Sequence, residues 1–192
     1  KNNNMSFLIL VRHGQSIWNL EKRFTGWVDV DLTNHGKQEA EKAGLLIKKR
    51  EINIDFYYSS LQLRANKTLE IIQTVLEDNK NFSKAWELNE RHYGALTGLN
   101  KIQIGKKIGE EKVYKFRRSW DIRPEPLSKH SPYHPINIET YKKLPKGIIP
   151  DTESLKDTYE RVSKYFEEEI KQKLKDKNVL ISAPGNSIRA LC

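Results

Sequence analysis

The sequence contains a single cysteine, Cys192, among its 192 residues. One cysteine excludes an internal disulfide framework and a metal site built from several cysteines, and it is typical of a reducing compartment. Long apolar runs are also missing, because charged residues interrupt every hydrophobic stretch before it reaches the length of a membrane span. No signal-peptide pattern precedes the first apolar run. We therefore expect a cytoplasmic protein with no membrane partner.

The sequence also lacks the glycine-rich motifs that hold nucleotide phosphates, since neither GxxxxGK[ST] nor GxGxxG occurs in it. Its charge balance is strongly basic, with 34 lysines and arginines against 25 aspartates and glutamates and a formal net charge of +9. Such a charge attracts anions, either nucleic acid or small phosphorylated metabolites. The lysines lie beside glutamates in helical segments, as on solvated helix surfaces. We expect no nucleic-acid partner.

The alternation of short apolar runs and helical patterns predicts the fold class. With 37% hydrophobic residues, the length suits a single domain over residues 1–192. Strands are predicted at 8–11, 55–60, 84–88 and 179–183, and helices at 33–50, 61–76, 101–118 and 155–174. This order predicts an α/β fold with a mostly parallel sheet flanked by helices on both faces. The first run is apolar throughout, which predicts a strand buried on both faces.

Two segments stand outside this alternation. Residues 119–150 hold six of the seven prolines, and loops of this length are usually functional covers or linkers. Because helix resumes afterwards, we expect a cover over a site. Residues 1–4 precede Met5 and are left out of the fold interpretation.

Polar residues follow the predicted strands, where a parallel sheet would bring them to one edge. Arg12 and His13 follow the first strand, Glu90 follows the third, and Arg64 begins the second helix. Cationic side chains around a histidine and a carboxylate suit phosphoryl transfer, which needs positioning and charge stabilisation of the phosphate oxygens. A neutral imidazole can act as the nucleophile, and a glutamate can move the hydroxyl proton.

Each of these residues has a simpler interpretation when taken alone. His13 could be a loop histidine in contact with water, Arg64 a surface residue, and Arg117–Arg118 a solvated pair. His130 and His134 have an HxxxH spacing that metal sites use, but neither a third ligand nor a helix accompanies them. We therefore expect no metal.

Six segments together resemble one known family. LVRHGQSIWN, FTGWVDVDLT, LNERHYGALTGLNK, FRRSWDI, TESLKDT and GNSIRAL are similar to the cofactor-dependent phosphoglycerate mutases of the histidine phosphatase superfamily, and the similarity runs from Phe7 to Leu191. RHG is shared by many phosphatases, whereas ERHYGALTGLNK with TGWVDVDLT points to the mutase branch. The resemblance implies a three-layer α/β sandwich and a glycolytic and gluconeogenic isomerase. It also implies 2,3-bisphosphoglycerate as the priming phosphoryl donor, no metal, and a homodimer or homotetramer.

The resemblance also implies a role for each matching residue. His13 would carry the phosphoryl group, and Glu90 would donate and accept the proton. Residues that would grip the transferring phosphate are Arg12, Arg64 and Asn19. Residues that would hold the glycerate and its second phosphate are Thr25, Gly26, Arg91, Tyr93, Lys101, Arg117 and Arg118, and those that would contribute at the last strand are Gly185 and Asn186.

Two departures from the family pattern affect the expected activity. The family has AxHGNS where this sequence has SAPGNS, so Pro184 replaces a second histidine. Proline offers neither a side-chain donor nor a backbone N–H, and losing one such donor lowers rates by about a hundredfold or more. Family members also continue beyond GNSIRAL, so we expect further residues after Cys192. A phosphatase on the same scaffold and a non-catalytic binder remain alternatives.

Overall fold

The sheet consists of four short parallel strands. The structure is a computed structural model, and it describes residues 5–192. The strands are β1 (Leu8–Arg12), β2 (Phe56–Ser60), β3 (Ser83–Ala85) and β4 (Val179–Ala183). Their order is β1-β4-β2-β3, and every neighbouring pair is parallel. Residues 1–4 lie outside the described residues.

Seven α-helices accompany these strands within residues 5–192. They are α1 (Ile17–Leu20), α2 (Asn34–Lys49), α3 (Leu63–Leu76), α4 (Lys101–Ile108), α5 (Glu110–Arg118), α6 (Leu155–Tyr165) and α7 (Gly185–Leu191). The side chain of Thr33 caps α2, as its position before the helical pattern predicted. Gly109, with φ of 95°, separates α4 from α5. None of the helices in the described part of the chain has the length and apolar character to cross a membrane.

The core lies on both faces of the sheet because side chains alternate along each strand. Val179 and Ile181 of β4 pack on one face with Val162 of α6. Leu180 packs on the opposite face with Leu69 of α3 and with α2. The predicted α/β fold, with helices on both faces of a parallel sheet, is confirmed.

Two of the predicted strands differ from the structure. β3 has only three residues, and Trp86–Leu88 forms a 3-10 turn where a strand was predicted. This turn leaves the sheet and buries Leu88 in the core beside α6. β1 contacts both core faces, but Val11 is its only buried residue, at 9% exposure, because β1 is an edge strand that pairs with β4 alone.

The loop after β1 is held against α2 by a close backbone approach at Gly36. A Cβ atom at Gly36 would lie 2.1 Å from the carbonyl oxygen of Gln15. We expect Gly36→Ala to lower the free energy of unfolding by about 3 kcal/mol, since the backbone must move apart. Urea denaturation measures the loss. Gly147→Ala is the control, because a Cβ there meets no atom within 4 Å, and an equal loss in both variants would contradict the prediction.

Candidate active site

A small cavity lies at the carboxyl ends of the strands, the edge at which parallel α/β sheets bind ligands. Its volume is about 120 Å³. Twelve of the residues predicted as site residues line it: Arg12, His13, Asn19, Thr25, Gly26, Glu90, Tyr93, Lys101, Arg117, Arg118, Gly185 and Asn186. Two arginines that the sequence interpretation missed, Arg23 and Arg189, also line it.

The His13 ring is buried and held in one tautomer. Its Nδ1 atom lies 2.6 Å from the carbonyl oxygen of Gly14, which can only accept a hydrogen bond. Nδ1 therefore carries the proton, and the lone pair is on Nε2. The Nε atom of Arg64 donates to that lone pair at 3.3 Å. The side chain is thus arranged to react at Nε2.

The surroundings of His13 keep its imidazole neutral. Burial, and then the positive charges of Arg64 and Arg12, lower its pKa to about 3, against the partial opposing effect of the Gly14 carbonyl. A neutral ring has the free lone pair that a nucleophile requires. His13 is not an exposed loop residue, since only 8% of the residue is exposed.

We expect the ¹⁵N NMR signals of the His13 ring to show the neutral Nδ1–H tautomer from about pH 8 down to about pH 5, where an ordinary histidine becomes charged. The reason is the low pKa in the folded state. Unfolded His13 takes up a proton below about pH 6.5, so its contribution to folding falls as the pH decreases from there toward 3. His13→Asn assigns the signals. A ring half-protonated near pH 6 would contradict the expectation.

Arg64 is anchored by backbone carbonyls, and no carboxylate within residues 5–192 forms an ion pair with it. Its residue is 1% exposed, with Nη1 donating to Val28 at 2.9 Å and Nη2 donating to Gly26 at 2.9 Å. Burial lowers its pKa, but a guanidinium remains charged in proteins. Its positive charge can therefore stabilise an anion bound beside His13. The alternative that Arg64 is a surface residue is wrong.

Arg12 lies across the start of α7. A Cβ at Gly185 would be 3.3 Å from the Nε atom of Arg12, so the glycine leaves room for the guanidinium. Asn186 follows and donates from Nδ2 to the hydroxyl of Tyr93 at 3.1 Å. The last strand and helix therefore position one wall of the cavity.

A buried ion pair holds the loop that carries Glu90. Arg161 and Glu153 are 9% and 6% exposed, with Nε and Oε2 2.8 Å apart. Arg161 also donates to the backbone carbonyls of Glu87, Asn89 and Glu90. These contacts fix the backbone of Glu90 while its side chain lines the cavity.

Arg91 is not among the residues that line the cavity, and its predicted substrate role stays a prediction. It is fully buried, and its guanidinium donates to the carbonyls of Glu153 at 3.0 Å, Phe116 at 2.6 Å and Arg117 at 3.3 Å. The sequence places it next to Glu90, but its side chain extends away into the protein. Its contacts hold the end of α5, from which Arg117 and Arg118 reach the cavity.

Pro184 lies directly beside the nucleophile. In the register of β1 and β4, Arg12 pairs with Ala183, and the His13 N–H donates to the Ala183 carbonyl at 3.3 Å. Pro184 is the next residue, is buried, and precedes α7 without a side-chain cap. Pro184 is not among the residues that line the cavity, and it offers neither a side-chain donor nor a backbone N–H.

Residues 119–150 pack against the wall of the site. None of them lines the cavity. Tyr141 donates its hydroxyl to the carbonyl of Trp27 at 2.6 Å, and Tyr133 packs edge-on against Trp18 with ring centroids 5.1 Å apart. The contact of Tyr141 places the segment against the loop that holds Thr25 and Gly26. Its role as a cover stays a prediction.

The histidines of this segment do not come together. His134 is buried with Nε2 2.6 Å from Oδ1 of Asp151, whereas His130 is exposed. Within residues 5–192, no group of three or more histidine, cysteine, aspartate or glutamate side chains is arranged to hold a metal ion.

A second, larger cavity of about 550 Å³ adjoins the first. It shares Arg12, His13, Asn19 and Lys101 with the first cavity and continues to Lys22, His35 and Glu39, among other residues. His13 therefore lines two cavities.

Comparison with known sequences defines the class of protein. The profile of the histidine phosphatase superfamily (branch 1) matches residues 8–192, so the chain belongs to this family. Within it, the chain is 67% identical over 189 residues to a 2,3-bisphosphoglycerate-dependent phosphoglycerate mutase of Pelagibacter ubique (strain HTCC1062), covering 98% of this chain and 79% of the relative. A protein of the same name from Borreliella burgdorferi (strain ZS7) is 50% identical over 186 residues, 96% of this chain and 75% of the relative.

Solved structures agree with the fold. A mycobacterial glucosyl-3-phosphoglycerate phosphatase superposes with a TM-score of 0.69 at 23% identity, over 96% of this chain and 78% of the other. A protein described as mycobacterial hydrolase 1 superposes with a TM-score of 0.70 at 22% identity, over 96% and 75%. At these identities the likeness shows the fold alone.

Proposed function

We propose that this protein interconverts 3-phosphoglycerate and 2-phosphoglycerate as a 2,3-bisphosphoglycerate-dependent phosphoglycerate mutase, through a phosphoryl group on Nε2 of His13. The observation that carries the proposal is the neutral His13 ring, with its Nε2 lone pair beside Arg64, at the edge of the cavity. The identity to two proteins of that name supports it.

The charge of the cavity fits a small, multiply charged anion. Six cationic residues line it, namely Arg12, Arg23, Lys101, Arg117, Arg118 and Arg189, and Glu90 is the only carboxylate among its lining residues. A three-carbon acid with two phosphates has the complementary charge. When bound, 2,3-bisphosphoglycerate supplies the first phosphoryl group for His13. Arg12 and Asn19 would hold the phosphate beside His13, and Lys101, Arg117 and Arg118 would hold the other anionic end.

The chemistry then follows from the two titratable side chains. The Nε2 lone pair of His13 attacks phosphorus, and the P–O bond breaks with its electron pair on the substrate oxygen, which takes a proton from Glu90. In return, a substrate hydroxyl attacks the phosphorus on Nε2, Glu90 accepts its proton, and the N–P bond breaks. Arg12 and Arg64 stabilise the charge on the transferring phosphoryl oxygens. The Gly14 carbonyl keeps the Nδ1 proton in place throughout.

A phosphatase activity is the second candidate, favoured by the larger cavity that also reaches His13. Water arriving by that route would attack the phosphorus on Nε2 and release inorganic phosphate. Exclusion of water is what separates transfer from hydrolysis at such a centre. The same protein would then divide its phosphohistidine between the two acceptors.

An isomerase assay with a trace of 2,3-bisphosphoglycerate tests the proposal. We expect 2-phosphoglycerate to form from 3-phosphoglycerate faster than with His13→Asn, which retains the fold but has no reactive ring nitrogen. Phosphate release that outpaces isomer formation would favour the phosphatase. Binding measured by calorimetry, with neither product above the His13→Asn rate, would contradict both and identify a non-catalytic binder.

A further inference from the structure

Gln62 is a fully buried polar residue that no part of the proposed chemistry uses. It precedes α3 and is 0% exposed. Its Nε2 atom donates to the carbonyl of Gly26 at 2.7 Å, and its Oε1 atom accepts the backbone N–H of Glu90 at 3.0 Å. One side chain therefore joins the two opposite loops of the site.

The contact at Gly26 extends this link to the nucleophile. The same carbonyl oxygen also accepts from Nη2 of Arg64 at 2.9 Å, and Nε of Arg64 donates to Nε2 of His13. A continuous series of hydrogen bonds thus runs from Glu90 through Gln62, Gly26 and Arg64 to His13. Gly26 has φ of +55° and lies close to the Arg91 backbone, so its carbonyl has little freedom to follow a displaced partner.

We infer that Gln62 is a positioning residue that sets the location of the Glu90 carboxylate relative to Nε2 of His13. The inference rests on the proposed function. Without the Gln62 side chain, the backbone N–H of Glu90 would lose its acceptor, and the Gly26 carbonyl would lose one of its two donors. Arg161 and Glu153 still hold the loop, so the fold persists. Proton transfer depends on sub-ångström placement, and about 1 Å of displacement lowers rates by roughly a hundredfold.

Loss of Gln62 should affect substrate binding much less than proton transfer. The cations that line the cavity stand mainly on other elements, such as Lys101 on α4 and Arg117 on α5. A positioning role therefore lowers kcat with little change in KM, whereas general damage to the site would change both.

The test compares Gln62→Leu with Gln73→Leu. Gln73 lies on α3, the helix that Gln62 precedes, and is 8% exposed. It donates from Nε2 to the carbonyl of Lys80 at 2.8 Å, in a hydrogen bond unconnected with the site. We expect kcat of Gln62→Leu to fall by about tenfold to a hundredfold with KM nearly unchanged. Gln73→Leu should retain the native kcat. Native kcat in Gln62→Leu, an equal loss in both variants, or a change in KM alone would overturn the inference.

A pH profile separates positioning from packing. Gln62→Glu retains an acceptor for the Glu90 N–H, but its ionised carboxylate cannot donate to Gly26. Burial favours the protonated acid, which regains a donor as the pH falls. The kcat of Gln62→Glu relative to the native protein should therefore rise toward low pH, and a constant ratio would contradict the inference.

Amide hydrogen exchange tests the hydrogen bond between the Glu90 N–H and Gln62 without relying on turnover. The Glu90 N–H should be protected in the native protein and in Gln73→Leu, and should exchange faster in Gln62→Leu. Unchanged protection overturns the positioning inference. A native protein without isomerase activity contradicts the proposed function instead, so the two failures are distinguishable.

Discussion

Replacing Pro184 with histidine raises the rate of phosphoglycerate isomerisation by about a hundredfold or more, the size of effect that one well-placed donor to a transferring group has. The position is set by the sheet, because Ala183 pairs with Arg12 and accepts the His13 N–H. The family pattern AxHGNS has a histidine at this position, so we expect a side chain at 184 to face the phosphoryl group on His13. Imidazole supplies an N–H to its oxygens, and proline does not.

Steady-state kcat for Pro184→His and Pro184→Ala measures this effect. The alanine variant removes the ring and restores a backbone N–H without adding a side-chain donor. It should therefore stay much nearer to the native rate than the histidine variant does. Equal gains in the two variants would attribute the effect to the backbone, and no gain in either would show that position 184 has no part in the chemistry.

Exchanging Arg64 for lysine lowers phosphoryl transfer by about a hundredfold, although the charge is retained. The guanidinium uses its three nitrogens at once, on Val28, Gly26 and His13. A lysine ammonium has one nitrogen on a flexible stem and cannot make these three contacts in the same geometry. The Val28 carbonyl would lose its Arg64 donor, and the Gly26 carbonyl would keep only the hydrogen bond from Gln62.

The control for Arg64→Lys is Arg50→Lys, at the exposed end of α2. Rapid-quench measurement of single-turnover phosphoryl transfer to His13 separates the chemical step from product release. We expect the native rate for Arg50→Lys and a greatly reduced one for Arg64→Lys. A native transfer rate in Arg64→Lys would show that charge alone is sufficient and that the anchored geometry has no role.

The sequence predicted those parts of the fold that depend on local pattern. The apolar run at Val179–Ala183 is a strand buried along its whole length, and Thr33 caps α2. The burial of edge strands was harder to predict. It depends on the order of the strands in the sheet, which the sequence of a single strand does not reveal. β1 therefore seemed buried on both faces, and the segment after Ala85 seemed to continue as a strand.

The site shows the same division. Residues that follow strands reach one edge, so His13, Glu90 and Asn186 could be predicted to meet. The direction of a side chain depends on the fold around it, which is why Arg91 was assigned to the substrate and extends away from the cavity. Gln62 could not be predicted for a similar reason. It lies between β2 and α3 and belongs to no recognisable sequence motif.

Some predictions stay untested by the fold. The homodimer or homotetramer and the organisation of residues 1–192 as one domain stay predictions from the resemblance and the length. Arg23 and Arg189 line the cavity. Arg23 directly precedes the motif FTGW and Arg189 lies within GNSIRAL, so their place in these motifs was the signal available for them.

The most direct measurement is the location of phosphate on the protein after incubation with 2,3-bisphosphoglycerate. Alkaline digestion and mass spectrometry identify the modified peptide, and ³¹P–¹⁵N NMR identifies the nitrogen. We expect the phosphoryl group on His13, bonded to Nε2, and none on His13→Asn. Phosphate on another residue, on Nδ1 of His13, or on the His13→Asn chain would contradict His13 Nε2 as the nucleophile.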